Sequence, residues 1–233
     1  MTSSSHSHPF DPLNSPYPVP WNWVTAMMAE TVASSTPVFR YYRSQSLISP
    51  NGDYAAYSRI QLQLSNSFTQ NRIASILFVE DLQTGELQTI TPAAPFADNP
   101  FVADAVLNQP GTIAMLIPVA WSERGERLLA REFESMFGSS LASDFAVIWE
   151  RHSNRTYTLA PTQIQYSNAV LLGWSQTYPS RVLFRAGNMG DEDWPLYAVD
   201  ASGQTTYAAE DEPITFGQIT SSNWAGPQGY SCA

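Results

Sequence analysis

The chain has 233 residues, 43% hydrophobic and 12% aromatic, enough to bury a sizeable core without a disulfide or a structural metal. It carries 21 acidic and 11 basic residues for a net charge of −10, and all the basic residues are arginine. Lysine chemistry is therefore excluded, and nucleic acid or an anionic membrane surface meets no basic stripe. The single cysteine, Cys232, has no intramolecular partner, which points to a reducing compartment and a cytoplasmic protein.

Residues 1–20 form a leader with Pro9, Pro12, Pro16, Pro18 and Pro20 among serines, of extended or polyproline character. Its first residues lack the apolar stretch of a signal peptide. Residues 1–15 are expected to make few contacts, so that deleting them leaves the melting temperature nearly unchanged. Residues 21–34 read as the one helix, because Trp23, Val24, Met27, Met28 and Val32 recur at helical spacing behind Pro20. Trp23, Met27 and Met28 are expected to bury against a sheet.

Residues 35–226 have strand and turn character, and 227–233 read as a tail. Ser58 to Leu64 alternates Ile60, Leu62 and Leu64 with Arg59, Gln61 and Gln63, the pattern of a half-buried strand. Ile113 to Trp121 is the longest apolar run and suits a single buried strand. No segment approaches the roughly 20 apolar residues of a transmembrane helix. The long connection from Pro92 to Gly111 contains Phe96, Phe101, Val102 and Val106 and is expected to be packed.

A repeat runs through this region. Ser49-Pro50-Asn51-Gly52, Trp121-Ser122-Glu123-Arg124-Gly125 and Trp174-Ser175-Gln176 each lead into an apolar strand, and each is followed by a second hairpin. Those hairpins span Phe78 to Thr91, Val147 to Leu159 and Leu196 to Tyr207. Asn154 stands where Gly85 and Gly203 stand, and asparagine tolerates the left-handed backbone that a glycine supplies in such turns. Three sheets with Ser49, Ser122 and Ser175 at equivalent positions are expected.

The Ser49 to Gly52 turn, the strand Tyr54-Ala55-Ala56-Tyr57 and the hairpin Val79-Glu80-Asp81-Leu82-Gln83-Thr84-Gly85 resemble the WD40-like repeat of TolB-type β-propellers. The resemblance covers about residues 45–212, and the whole chain also resembles an uncharacterised cyanobacterial protein family. It implies an all-β fold of propeller blades, three of them clear, behind one N-terminal helix. Val38 to Ser46 and Ile214 to Ile219 leave room for a fourth, split blade. An incomplete ring would leave an edge for a second copy to cover.

Candidate chemistry is sparse. Arg59, Arg131 and Arg185 follow their turn serines by nine or ten residues and, at equivalent positions, would form either local carboxylate pairs or an anion-binding set. Trp21, Trp23 and Trp194, with arginine, are the residue types of protein interfaces. Asp191 and Asp193 flank Glu192 in a loop that could hold Ca²⁺ but lacks the EF-hand spacing, and Glu210 to Glu212 reads as a second solvated acidic cluster. Neither a serine elbow nor a cofactor motif is present. The expectation is a non-catalytic protein-binding or scaffold protein without cofactor. Its rivals are a hydrolase or glycosidase using carboxylates at the blade mouth, and a Ca²⁺ or small-ligand module.

Overall fold

The computed structural model describes residues 10–30, 37–97, 100, 109–220 and 222–229. Cys232, His6, His8, Phe101, Val102 and Val106 lie outside them. Helix α1, Trp21–Met28, is followed by strands β1 (Val38–Arg43), β2 (Ser46–Ile48), β3 (Tyr54–Leu64), β4 (Arg72–Asp81) and β5 (Leu87–Ile90). β1 and β2 are two stretches of one edge, both antiparallel to β3, and β3, β4 and β5 continue as a meander. A second meander runs through β6 (Thr112–Trp121), β7 (Arg127–Met136), β8 (Ala142–Glu150) and β9 (Arg155–Leu159). A third runs through β10 (Asn168–Ser175), β11 (Val182–Gly187), β12 (Leu196–Val199) and β13 (Thr205–Tyr207). Among the described residues the fold is all-β with one α-helix.

The repeated turns are built alike. Ser49, Ser122 and Ser175 each donate their amide across the turn, to the carbonyls of Tyr54, Arg127 and Arg181 at 2.8, 2.8 and 2.9 Å. Each serine Oγ also accepts an amide from inside the turn: Tyr54 at 2.9 Å, Arg127 at 3.0 Å and Tyr178 at 2.8 Å. A hydroxyl thereby replaces a missing backbone partner, the usual reason serine opens a turn. In the second hairpins Gly85, Asn154 and Gly203 all have positive φ, at 74°, 50° and 83°, as their shared position requires.

The tryptophans before two of those serines tie the meanders together. The Trp174 indole donates to the Trp121 carbonyl at 2.9 Å, and the Trp121 indole donates to the Leu47 carbonyl at 3.1 Å. Each meander's first strand is thus linked to the one before it. Apolar side chains fill the spaces between: Ala56, Leu77, Leu116, Leu128 and Val147 between meanders one and two, and Leu129, Ile148, Leu171, Val182 and Phe184 between two and three.

Several expectations need correction. The meanders form two sheets and not three, because a parallel bridge between Ile73 and Ile113 joins β4 to β6 in an 11-stranded sheet. Val38 to Ser46 and residues 214–219 build no fourth sheet among the described residues. Instead β14 (Pro213–Ile214) pairs with β10, Phe216 bridges to Trp121, and β15 (Gln218–Thr220) pairs with β2. One short segment so crosses the first strands of all three meanders. It comes too close at Gly217 for any side chain, since a Cβ there would lie 2.8 Å from the Ile48 carbonyl oxygen. β16 (Gly226–Gln228) pairs with β1, so the expected tail begins as sheet.

The leader also packs. Asp11 is buried, and its carboxylate accepts amides from Leu13, Ser15 and Val19 at 3.0, 3.1 and 3.0 Å. The Tyr17 hydroxyl donates to the Leu172 carbonyl at 2.9 Å. The expectation that residues 1–15 make few contacts therefore fails for the described ones. Helix α1 does bury its apolar side, with Trp23 and Val24 in a cluster with Ile60, Leu62, Ile113 and Phe133. Each such large side chain contributes about 1.5–3 kcal/mol when fully buried.

Candidate functional site

Strand alternation gives the third meander two unlike faces. Val182 and Phe184 of β11 point toward the second meander, while Val170, Leu172, Leu183 and Ala198 lie in a separate apolar cluster on the opposite face. No further sheet covers that opposite face among the described residues; Leu13 of the leader and Trp194 pack at its margin. Over it opens a cavity of about 1010 Å³, lined by Leu13, Val170, Leu172, Leu196, Trp194 and Arg185, with Asp191, Glu192 and Asp193 on its rim.

Trp194 is fixed from two sides. Its indole donates to the Asn188 carbonyl at 3.1 Å, and its ring lies directly on Gly187, where a Cβ would come within 2.6 Å of Trp194 Cδ1. Arg185 is exposed, and among the described residues it has no ion-pair partner. Asp191 accepts the Asn188 amide at 2.9 Å, which makes it the closing residue of its own loop. No group of three or more His, Cys, Asp or Glu close enough to hold a metal occurs among the described residues. Asp211 also lines the cavity but is committed elsewhere. Its carboxylate accepts from Ser175 Oγ at 2.5 Å and from the Gln176, Thr177 and Glu212 amides at 3.1, 3.0 and 2.8 Å. Burial alone would raise its pKa, but these donors hold it below the usual carboxylate value. The expected solvated cluster at 210–212 is thus a buried anchor at its centre.

The three arginines are not equivalent. Counted from the residue that closes each serine turn, Arg131 lies four beyond Arg127 and Arg185 four beyond Arg181, but Arg59 lies five beyond Tyr54. One residue reverses the face of a strand. Ser58, fully buried, takes the shared position, and Arg59 points to the other, exposed side. Spacing from the serine misled because the third turn is one residue longer than the other two.

Arg131 is wholly enclosed, at 0% exposure. Its Nε donates to Asp144 at 2.7 Å, while one terminal nitrogen donates to Asp11 at 2.7 Å and to the Tyr17 carbonyl at 2.6 Å. Asp144 in turn accepts the Leu171 amide of β10 at 2.9 Å. Arg131 is therefore a clamp between leader, second meander and third meander, and is closed to an outside ligand. Trp23 is a core residue, packed on Tyr42 at 5.2 Å between ring centres, and Trp21 is half-buried against the same cluster, 6.2 Å from the Phe133 ring.

Sequence reasoning missed the carboxyls around this clamp. Burial pushes Asp144 up to about 6 against the pull of Arg131, and pushes Glu134 up to about 7 against the Phe96 and Ala97 amides that bind it. Glu132 is raised well above the usual range by burial and by the charges of Glu134 and Asp144. The signal was present: Arg131-Glu132-Phe133-Glu134 places three charges inside an otherwise apolar strand. None of these three carboxyls lines the cavity.

The chain matches no protein-family model and no curated protein. Among the described residues, no helix is long and apolar enough to cross a membrane.

Proposed function

We propose that the chain is a non-catalytic protein-binding or scaffold protein of the cytoplasm, assembled from WD40-like blades. The blade reading is supported by the fourfold strand order of each meander, the serine turn that opens it and the left-handed residue that closes its second hairpin. The binding reading rests on one observation: Arg185 and Trp194 line one cavity, with Val170, Leu172 and Leu196, on the face of the third meander that no further sheet covers among the described residues. Aromatic and arginine anchors around a desolvatable apolar centre are what protein interfaces use.

The test compares affinity captures from the native host with the wild-type chain and with an Arg185→Ala/Trp194→Ala variant of unchanged circular dichroism. Proteins retained by the wild type and lost by the variant are expected. Identical sets from both would remove this face as the binding site.

A further inference from the structure

Arg131 and Arg185 occupy one register in successive meanders, and the surroundings of the first say what the second lacks. Arg131 pairs across β6 and β8 with Ile117 and Ala146, and Arg185 pairs across β10 and β12 with Val170 and Leu196. Two residues before Ala146 stands Asp144, the arginine's partner within its own meander; two residues before Leu196 stands Trp194. The third meander has thus replaced the internal carboxylate by an indole. The second carboxylate at Arg131 comes from the leader, from Asp11 at 2.7 Å. At Arg185 the leader passes with Leu13 to Pro16 on the cavity wall and brings no acid. Arg185 therefore retains the arginine position and has neither of the carboxylates that complete it.

Building on the binding reading above, we infer that the third meander's open face takes an extended partner segment that delivers one carboxylate to Arg185, as the leader delivers Asp11 to Arg131. A guanidinium presents a fixed fork of donors matched to a carboxylate. Half-buried Leu196 and the Trp194 ring, over the buried Val170 and Leu172, receive the flanking side chains. The rim sets the composition of those flanks. Asp191, Glu192 and Asp193, with the −10 charge of the whole chain, repel a run of acids, so the acid stands alone among uncharged or basic residues. Asp11 has that setting, between Pro9-Phe10 and Pro12-Leu13.

The probes are three synthetic peptides copying residues 9–20 of this chain, one unchanged, one with Asp11→Asn and one with Asp11→Arg, titrated into the full-length protein. The tethered leader holds its own site at an effective concentration no free peptide matches, so binding reports the open face. The unchanged peptide is expected to bind, and to lose about tenfold or more with Asp11→Asn in the peptide or Arg185→Gln in the protein. Arg124→Gln, at an exposed turn, is expected to change nothing. Tighter binding of the Asp11→Arg peptide would overturn the inference in favour of the rim carboxylates. Equal binding of all three peptides, lost with Trp194→Ala, would also overturn it; in both cases the face remains a docking site. Binding that is absent, or indifferent to both Arg185→Gln and Trp194→Ala, would overturn the inference and count against the face itself.

Discussion

Arg131 and Arg185 are the same residue at the same register of the same kind of meander, and they differ in what lies over them. Over Arg131 the next meander and the leader close completely, and its charge is neutralised by Asp11 and Asp144. Over Arg185 a broad cavity opens. A buried cation with two carboxylates is a structural joint, whereas the exposed one, lining a cavity with a half-buried indole, is the surface proposed to dock a partner. The repeat sets where an arginine falls, and its place in the series decides what that arginine does.

The largest effect should come from breaking the joint. Arg131→Met leaves Asp11 and Asp144 without their cation in a buried site, and denaturant titration is expected to show a loss of about 3–5 kcal/mol. Arg185→Met is expected to stay within about 0.5 kcal/mol. Comparable losses for both would mean that the two positions are not the contrasting pair described above. Deleting residues 1–15 removes Asp11, so it should lower the melting temperature as Arg131→Met does. The sequence alone suggests almost no change, because an acid between prolines in a serine-rich leader looks solvated until its partner, 120 residues away, is placed beside it.

A smaller loss tests the tryptophan links. Trp121→Phe removes the donor to the buried Leu47 carbonyl and should cost about 1–3 kcal/mol, with Trp174→Phe similar. Trp194→Phe should cost less, because its donor bond to Asn188 lies at the surface. If Trp194→Phe proves as damaging as Trp121→Phe, the third meander's outer face is core and not an open surface.

The comparison also has a pH signature. Glu134 is raised from 4.5 to about 7 in the folded protein, chiefly by burial, and Glu132 is raised well above its ordinary value by burial and by the nearby carboxylates. Raised carboxyls favour the folded state while protonated, so this contribution is complete below about pH 4.5 and is lost as pH rises through about 7. Asp11 and Asp211 are lowered and act in the opposite sense, but only as pH falls below about 3.8. Maximum thermal stability is expected between about pH 4 and 6. Glu134→Gln should flatten the decline from pH 6 to 8, read as melting temperature at each pH. An unchanged decline in that variant would assign the pH dependence to other groups.

Much of the fold was legible because its signals are local. The alternation in Ser58 to Leu64, the apolar run before Trp121 and the asparagine in a glycine's place each dictate a conformation through neighbouring residues, and each appears as expected. The site was legible only in part. Arg185 and Trp194 were named and line one cavity, but Arg59 stands one residue beyond the shared strand position and faces another way, Trp23 is core, and Trp21 is half-buried against it. The charged residues of β7 needed the leader and the third meander in place before their roles could be read, since burial and ion pairing are set by chain segments distant in sequence.

The smallest expected effect is a gain, and it concerns the one turn that departs from its siblings. The first two serine turns place Gly52 and Gly125 in the left-handed region, at φ 76° and 71°, while the longer third turn places Ser180 there at 68°. A side chain in that conformation crowds its own carbonyl and costs about 1 kcal/mol relative to glycine. The Ser180 hydroxyl returns little, a 3.3 Å hydrogen bond from Arg127 at the surface. Ser180→Gly should therefore raise the melting temperature by about 1–3 °C, net of the greater freedom glycine has when unfolded. The same change at Gln163, φ 62°, lies in a connection outside the repeated turns and serves as the control for strain relief alone. A gain at Gln163 with a loss at Ser180 would show that the Arg127 contact, which joins the second meander to the third, outweighs the strain. The link between those meanders would then extend from the buried clamp at Arg131 out to the exposed turns.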